Sequence, residues 1–252
     1  MNVFKRKKNR AMQTTYFSSR LSIAMILLFL STFLVGCDNI KHKEDYEIEA
    51  LIFQDHFNGG LDYWITEVVP DSTVNIGIIN EQLVIDTDRG VTLWLNQELS
   101  GNILIRYKRR VVMDEGPNDR LSDMNQFWMA VDPRNPTLFS RSRAGAFKEY
   151  DSLLMYYAGI GGNYNKTTRF RKYTGDGNRV LIQDLTDESY LLKPNHTYQI
   201  EIVVKDGVTK LYVDDQEFFH FEDEDPLTKG YFGIRTTWSR QIVDDVEIFK
   251  LK

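Results

Sequence analysis

Residues 148–173, KEYDSLLMYYAGIGGNYNKTTRFRKY, are dense in Tyr, Arg and Asn and are broken by Gly159, Gly161 and Gly162. Two strands are expected, over 152–158 and 167–173, joined by a loop rich in Gly and Asn. In the second strand side chains alternate with period two. Arg169, Arg171 and Tyr173 then share one face, and Phe170 and Lys172 the other. Guanidinium groups beside tyrosines suit an acidic sugar. Arg offers a fork of donors that matches a carboxylate, and an aromatic ring covers the apolar face of a pyranose. A basic strand that merely faces water has the same composition.

Three chemistries are open to these residue types. A polysaccharide lyase needs a cation to neutralise a uronate and a base, often Tyr or His, to take the adjacent proton. Arg169, Arg171, Tyr156, Tyr157 and Tyr164 have the right character. A retaining glycosidase needs two carboxyl groups about 5 Å apart. Glu149 and Asp151 share a strand face if the strand begins that early, and Asp123 is a further acid. A binding module needs only an aromatic platform and hydrogen bonders. Trp94, Trp128, Trp238, Arg235 and Arg240 offer these, with Asn163, Tyr164 and Asn165 in the loop. Trp94 lies opposite Leu93 and Leu95 in its strand and lines the other sheet face. For every Tyr and Trp the competing reading is packing within the sheets. His42, His56, His196 and His220 have no metal-ligand or triad spacing partner.

The chain has 252 residues and a formal charge of −5. Its first 36 residues stand apart: six positive charges, from Lys5 to Arg20, and no acid, then an apolar run over 21–35. That run is shorter than the ~20 residues that span a bilayer and ends in small residues, as secretion signals do. Leu34-Val35-Gly36-Cys37 follows, and Cys37 is the only cysteine, so no internal disulfide is available. Residues 38–49 are a charged tether without strand or helix pattern. Removal of the leader lowers the formal charge by six units, from −5 to −11. An acidic body excludes general nucleic-acid binding, which needs a basic surface.

From residue 50 onward short runs of Val, Ile, Phe, Tyr and Thr alternate with Gly, Asn, Asp and Pro, the pattern of an all-β sandwich or barrel. Strands are expected over 50–57, 74–79, 82–86, 91–95, 102–113, 125–131, 178–184, 197–205, 209–213, 217–221, 230–237 and 242–249. Turns are expected at Asn80-Glu81, Asp88-Arg89-Gly90, Asp206-Gly207 and Asp214-Asp215. In 125–131, Phe127, Met129 and Val131 oppose Gln126 and Trp128. The polar segments 114–122 and 132–146 are loops, the second long enough to be functional.

The cysteine region resembles the lipobox of bacterial lipoproteins, which implies cleavage before Cys37 and a lipid on it. Several acyl chains would anchor the chain stably, since each buried CH₂ contributes about 0.8 kcal/mol. Lys43-Glu44-Asp45 faintly resembles the export signal of surface lipoproteins in Bacteroidetes-type bacteria. Localisation at a bacterial envelope, on the outer membrane or cell surface, follows as an expectation. The opening Phe53-Gln54-Asp55-His56-Phe57 with Leu61-Asp62-Tyr63-Trp64, the meander from Tyr198 to Asp215 and the ending from Gly230 to Ile248 resemble concanavalin A-like lectin/glucanase domains. That resemblance covers about residues 50–252 and implies a two-sheet antiparallel jelly-roll sandwich whose first and last strands pair. Phe127-Trp128-Met129-Ala130, Tyr156-Tyr157, Asn163-Tyr164-Asn165 and Arg169-Phe170-Arg171 resemble a bacterial subgroup associated with plant-polysaccharide breakdown, of unassigned chemistry. A more distant likeness is to jelly rolls acting on 3-keto-glycosides. Glucanases of the superfamily carry a Glu-x-Asp-x-x-Glu strand; here Leu154 stands where the third acid would be. Structural calcium is common in the superfamily, and Asp55, Asp244 and Asp245 offer oxygens without a dedicated loop. No other cofactor is expected.

The reading is therefore a leader over 1–36, a tether over 37–49 and a jelly roll over 50–252 that handles an oligo- or polysaccharide. Arg, Tyr, Asn and acid concentrated between Asp123 and Tyr173 favour glycan cleavage over binding alone. A non-catalytic carbohydrate-binding lipoprotein is the alternative, and an envelope scaffold with a vestigial groove is a third. The site is expected on a concave sheet face, fringed by 114–122 and 132–146.

Overall fold

The computed structural model describes residues 46–252. The leader, Cys37, His42 and the tether up to residue 45 lie outside the described residues. In chain order the strands are β1 (Ile48–Asp55), β2 (Trp64–Val68), β3 (Val74–Ile79), β4 (Gln82–Leu95), β5 (Leu99–Ser100), β6 (Ile103–Val111) and β7 (Met124–Val131). They continue as β8 (Leu154–Gly161), β9 (Thr167–Thr174), β10 (Arg179–Leu185), β11 (Thr197–Lys205), β12 (Val208–Val213), β13 (Gln216–Glu222) and β14 (Lys229–Leu251). The last two tether residues, Ile48 and Glu49, are thus already strand.

Two antiparallel sheets face each other. One runs β10-β9-β8-β7, then the first half of β14, the second half of β4, and β2. The other holds β13-β12-β11-β6, then the second half of β14, flanked beyond by β4 with β3 and by β1. The first and last long strands pair, Phe53 opposite Ile248. Tight turns follow from sequence. Asn80 and Glu81 (φ 53° and 58°), Asp206 and Gly207 (51° and 84°), and Asp214 and Asp215 (49° and 63°) are left-handed at both central positions. That backbone twist matches the twist of the flanking strands.

Three sequence expectations change. The residues Asp88-Arg89-Gly90 make no turn, and the segments 230–237 and 242–249 are one strand. Both corrections have a single cause: β4 and β14 pair with each other through both sheets, from Gly233 opposite Trp94 to Val243 opposite Leu83. Thr237 opposes Gly90 and Ser239 opposes Thr87, so Asp88 and Arg89 face Trp238 alone. Two residues against one is a β-bulge, which bends the strands and increases their twist. Third, Met129 has φ 53°, and the register of β7 shifts there. The bulge turns Met129 onto the Trp128 side, into the core between the sheets, instead of beside Phe127. Gly230 crosses this bulge so closely that a Cβ on it would stand 2.3 Å from the Met129 carbonyl carbon.

The core between the sheets contains Phe57, Trp64, Ile105, Tyr107, Trp128, Tyr156, Phe170 and Phe232 among others. A second apolar cluster lies on the outer face of the β7–β10 sheet, built on Trp94, Phe127, Tyr157 and Tyr173 and covered by Leu138, Phe147, Tyr150 and Leu153 from residues 132–153. Trp94 indeed stands opposite Leu93 and Leu95, which face the inter-sheet core.

Where β14 leaves β7 for β6, backbone carbonyls lose their ladder partners, and orphaned carbonyls must find donors. Arg109 supplies them. It is fully buried. Its Nη1 donates to Asn125 O at 2.7 Å, its Nη2 to Arg235 O at 2.8 Å and its Nε to Gln241 Oε1 at 2.7 Å. Gln241 Nε2 in turn donates to Thr236 Oγ1 at 2.8 Å and Ser239 Oγ at 3.1 Å. Burial pulls the Arg109 pKa down to about 10, leaving it charged at neutral pH. Arg109→Met is expected to lower stability by about 3–5 kcal/mol, because two carbonyls and an amide are orphaned at once. Urea unfolding checks this; a loss below about 1 kcal/mol would mean that water or other donors replace the guanidinium.

Candidate functional site

The registers of seven strands place two rows of residues across the outer face of the β7–β10 sheet. One row reads Asp184, Arg169, Gly159, Asn125, Arg235, Thr92 and Glu67. The next reads Leu181, Arg171, Tyr157, Phe127, Gly233, Trp94 and Ile65. Residues opposite one another in a ladder share a face, so the cations of β9 and β14, the phenol of β8 and the acid of β2 line one surface.

The open side of this surface belongs to β9 and β10. Arg169 Nε donates to Asp184 Oδ2 at 3.0 Å. Arg171 is half-buried, and its guanidinium lies 5.5 Å from the centroid of the Tyr157 ring. Among the described residues Arg171 has no carboxylate or hydrogen-bond partner. Tyr157 Oη donates to Asn125 Oδ1 at 2.9 Å. Gly159 makes room for that bond: a Cβ there would stand 2.0 Å from Tyr157 Oη. Burial pushes the Tyr157 phenol up to about 12, against the opposing charge of Arg171. It is a neutral donor at physiological pH and not a ready base.

At one end of the same face, Arg120 is held between two exposed rings. Its guanidinium carbon lies 5.3 Å from the centroids of both Tyr164 and Trp238. Tyr164 is 67% exposed and Trp238 42%. Arg120 also pairs with Asp123 and donates to Thr237 O. The left-handed turn at Asn163, Tyr164 and Asn165 (φ 54°, 58° and 58°) projects Tyr164 outward. The bulge at Trp238 (φ 44°) does the same for its ring.

The other side of the face is covered. Residues 132–153 cross it as a strap with a short 3₁₀ turn over Phe147–Tyr150. Tyr150 Oη donates to Glu67 Oε2 at 2.9 Å, and Trp94 Nε1 donates to the same oxygen at 2.8 Å. Arg143 Nε stands 3.2 Å from Glu67 Oε1, and Arg143 Nη2 donates to Leu138 O at 2.6 Å. Arg235 is only 2% exposed; it donates to Gly145 O at 2.7 Å and Thr92 Oγ1 at 3.0 Å. Its guanidinium lies 5.0 Å from the Phe147 centroid, and that of Arg179 lies 4.5 Å from the same ring. Gly145 (φ 70°) passes so close to β2 that a Cβ would meet Glu67 O at 2.8 Å.

The candidates from sequence therefore divide. Arg169 and Arg171 come together on the open side, with Tyr157 buried at its inner edge and Tyr164 and Trp238 at its end. Arg235 lies on the same face beneath the strap. Tyr156 does not join them. It points into the core between the sheets, where its Oη donates to Asp223 Oδ2 at 2.5 Å and accepts from Leu227 N at 3.1 Å; adjacent strand residues face opposite ways. Trp128 is a core residue stacked on Phe170, its Nε1 donating to Thr209 Oγ1 at 3.0 Å. Glu149 and Asp151 share no strand face, because β8 begins only at Leu154. Glu149 Oε2 instead accepts from Ala144 N at 2.6 Å, and Asp151 Oδ1 from Arg179 Nε at 2.6 Å. Asn165 clamps the Leu192 backbone through both amide atoms at 2.8 Å, and Asn163 is exposed and reaches Thr167 Oγ1 at 3.4 Å. Asp55, Asp244 and Asp245 accept from Trp64, Gln82 and Lys108. Among the described residues no three His, Cys, Asp or Glu gather as a metal site.

Sequence reasoning missed Arg120, Asn125, Phe147 and Arg179. Asn125 was legible as a polar alternate of an apolar strand, and Arg120 as a cation in an expected fringe loop. Nothing in the sequence said that Phe147 folds back over the sheet.

Fold and face together define an antiparallel jelly-roll sandwich of the concanavalin A-like kind. A protein of unknown function with a galectin-like fold from Bacillus subtilis shares it, at 17% identity and TM-score 0.68 over 82% of this chain and 99% of that one. So does the catalytic domain of an endo-1,3-β-glucanase (laminarinase) from Thermotoga petrophila RKU-1, at 10% identity and TM-score 0.55 over 82% and 100%. The carbohydrate binding module CBM66 from Bacillus subtilis matches at 11% identity and TM-score 0.51 over 75% and 96%. No curated protein matches the sequence. Residues 85–246 match the model of a domain of unknown function, DUF6250, and the chain belongs to that family.

The strap is anchored at its start by Asp132. Burial opposes ionisation there, yet hydrogen bonds from the Arg134 side chain and backbone and from Asn135 outweigh it and hold the carboxyl down at about 2. A folded-state pKa below the unfolded value of about 3.9 contributes stability above that value, and the contribution is lost as pH falls through about 2. Asp132→Asn is expected to destabilise the protein by about 1–3 kcal/mol at pH 7, with the difference from wild type shrinking between about pH 4 and 2. Denaturant melts across that range test it; a pH-independent difference would assign the cost to packing.

Proposed function

We propose that this protein recognises an acidic oligo- or polysaccharide on the open side of the β8–β10 face. The observation that carries the reading is Arg171. A half-buried guanidinium with no carboxylate partner among the described residues, set over an aromatic ring, is a ready receptor for a uronate carboxylate. Charge-assisted pairs of this kind are the strong ones. Arg169 extends the cationic strip, the buried Tyr157–Asn125 pair backs it, and Trp238 and Tyr164 offer ring faces to a pyranose. The glucanase and the carbohydrate binding module that share the fold support a carbohydrate partner by analogy. The lipobox-like Leu34-Val35-Gly36-Cys37 supports a lipid anchor on Cys37 and a place at the bacterial envelope, on the outer membrane or cell surface. The likeness to a plant-polysaccharide subgroup points to pectic or glucuronan-type ligands.

Cleavage is the second reading. It rests on Asp123, whose charge is felt by both Tyr157 and Arg235. Asp123 would then act on a sugar held by Arg171, with the buried Tyr157 behind it. The high pKa of Tyr157 suits it to donate a proton to a leaving group rather than to abstract one.

Residues 45–252 form a compact unit by themselves and are the material for the test. Titrated with pectic, glucuronan and neutral polysaccharides, this unit is expected to bind a uronate polymer. Arg171→Ala should weaken binding at least tenfold, about 1.4 kcal/mol, without moving the melting temperature. Binding confined to neutral polymers, or untouched by the substitution, would sink the proposal. New reducing ends with ultraviolet absorbance of unsaturated uronate would establish a lyase, and reducing ends alone a hydrolase built on Asp123. In cells, Cys37→Ser should abolish incorporation of labelled palmitate; persistent labelling would rule out Cys37 as the lipid site.

A further inference from the structure

The strap over β2, β4 and β14 sets the length of ligand the face can hold. We infer that the site takes the end of an acidic glycan, or a free mono- or disaccharide, and excludes the middle of a long chain. This rests on the reading of the face as a uronate site. A sugar chain lying across the strands from β10 towards β2 would follow the row Leu181, Arg171, Tyr157, Phe127, Gly233, Trp94. It meets open surface only at Leu181 and Arg171. From Tyr157 on, which is only 6% exposed, the row is roofed: the Phe147 centroid is 5.6 Å from that of Tyr157, and Tyr150 lies 5.4 Å from Phe127 and 5.9 Å from Trp94. The parallel polar row is closed in the same way, Arg235 by Gly145 O and Phe147, and Glu67 by Tyr150 and Arg143.

The roof is clamped from both sides. On the β10 side Arg179 pairs with Asp151 at 2.5 Å and packs on Phe147. On the β2 side the backbone of Gly145 touches Glu67 and Val68, where no larger residue fits. Neighbouring strands lie about 4.8 Å apart, so from the wall at β8 to the outer strand β10 is two spacings, about 10 Å, the length of roughly two sugar rings. Phe147 is the wall against which the terminal sugar would stop, and it is a specificity-determining residue in this sense.

The test uses residues 45–252 and two ladders of probes, oligogalacturonides and glucuronan oligomers of one to six residues, followed by calorimetry. In the ladder that binds, affinity is expected to level off by two residues and to change less than twofold up to six. Phe147→Ala removes the wall and should restore a gain with length, about fivefold or more between two and six residues. If that variant melts early, Asp151→Asn releases the Arg179 clamp with the ring in place and is expected to move the plateau in the same direction. Affinity climbing steadily to six residues in the wild-type protein would overturn the inference and leave the uronate site standing. A plateau unchanged in both variants would remove the strap from the account. No binding in either ladder would overturn the uronate reading itself, and this inference with it.

Discussion

A buried guanidinium without a carboxylate beside it holds the two sheets together at their shared corner. Arg109 reaches the carbonyls of Asn125 and Arg235 at the point where β14 changes partners, and it fixes Gln241 as a third contact. The bend itself is unavoidable. One strand of 23 residues serves both sheets, so it must leave one ladder before it enters the next. Backbone groups freed by such a bend need donors in a place that water does not reach. Arg109 is charged because its partners are dipoles, and its pKa falls only to about 10. The residues it grips, Asn125 and Arg235, are those whose side chains form the centre of the polar row on the outer face. The corner thus fixes the backbone from which the candidate site projects.

The outer face is crowded with charge, and most of it is spoken for. Glu67 holds Trp94, Tyr150 and Arg143. Asp151 holds Arg179, Asp132 holds Arg134, and Asp184 holds Arg169. Pairing is what low-dielectric surroundings demand, since an unpartnered buried charge is costly. Against that background one half-buried cation, Arg171, is set apart by what it lacks. The strap explains the contrast. It brings donors and acceptors to β2, β4, β14 and Arg179 of β10, and it brings none to Arg171.

The fold was legible because turn chemistry and alternation are local. Asn80-Glu81 and Asp206-Gly207 marked hairpins, and the strands flanking them meet those turns within a residue of the expected positions. The merger of β4 and β14 was not legible. Asp88-Arg89-Gly90 has the composition of a turn, and only a partner strand running the full length makes it a bulge. Of the site, the alternation of Arg169, Arg171 and Tyr173 was readable from period two. The sides taken by Tyr156 and Tyr157 were not, because adjacent tyrosines look alike in sequence and a sheet assigns them opposite faces. Glu149 and Asp151 misled for a related reason. Spacing of two suggests a shared strand face, but a 3₁₀ turn carries that segment across the sheet instead.

The placement of β14 also dictates when this protein can become itself. That strand contacts β1, β4, β5, β6 and β7, and it follows all of them in the chain. During synthesis the earlier strands can form hairpins, such as β3 with β4 or β11 with β12, but the sandwich cannot close until residues 229–251 have emerged. Pairings between distant segments form slowly and leave edges open while they wait. Folding is therefore a single late event, keyed to the arrival of one strand, and the face that carries Arg171 comes into existence only then.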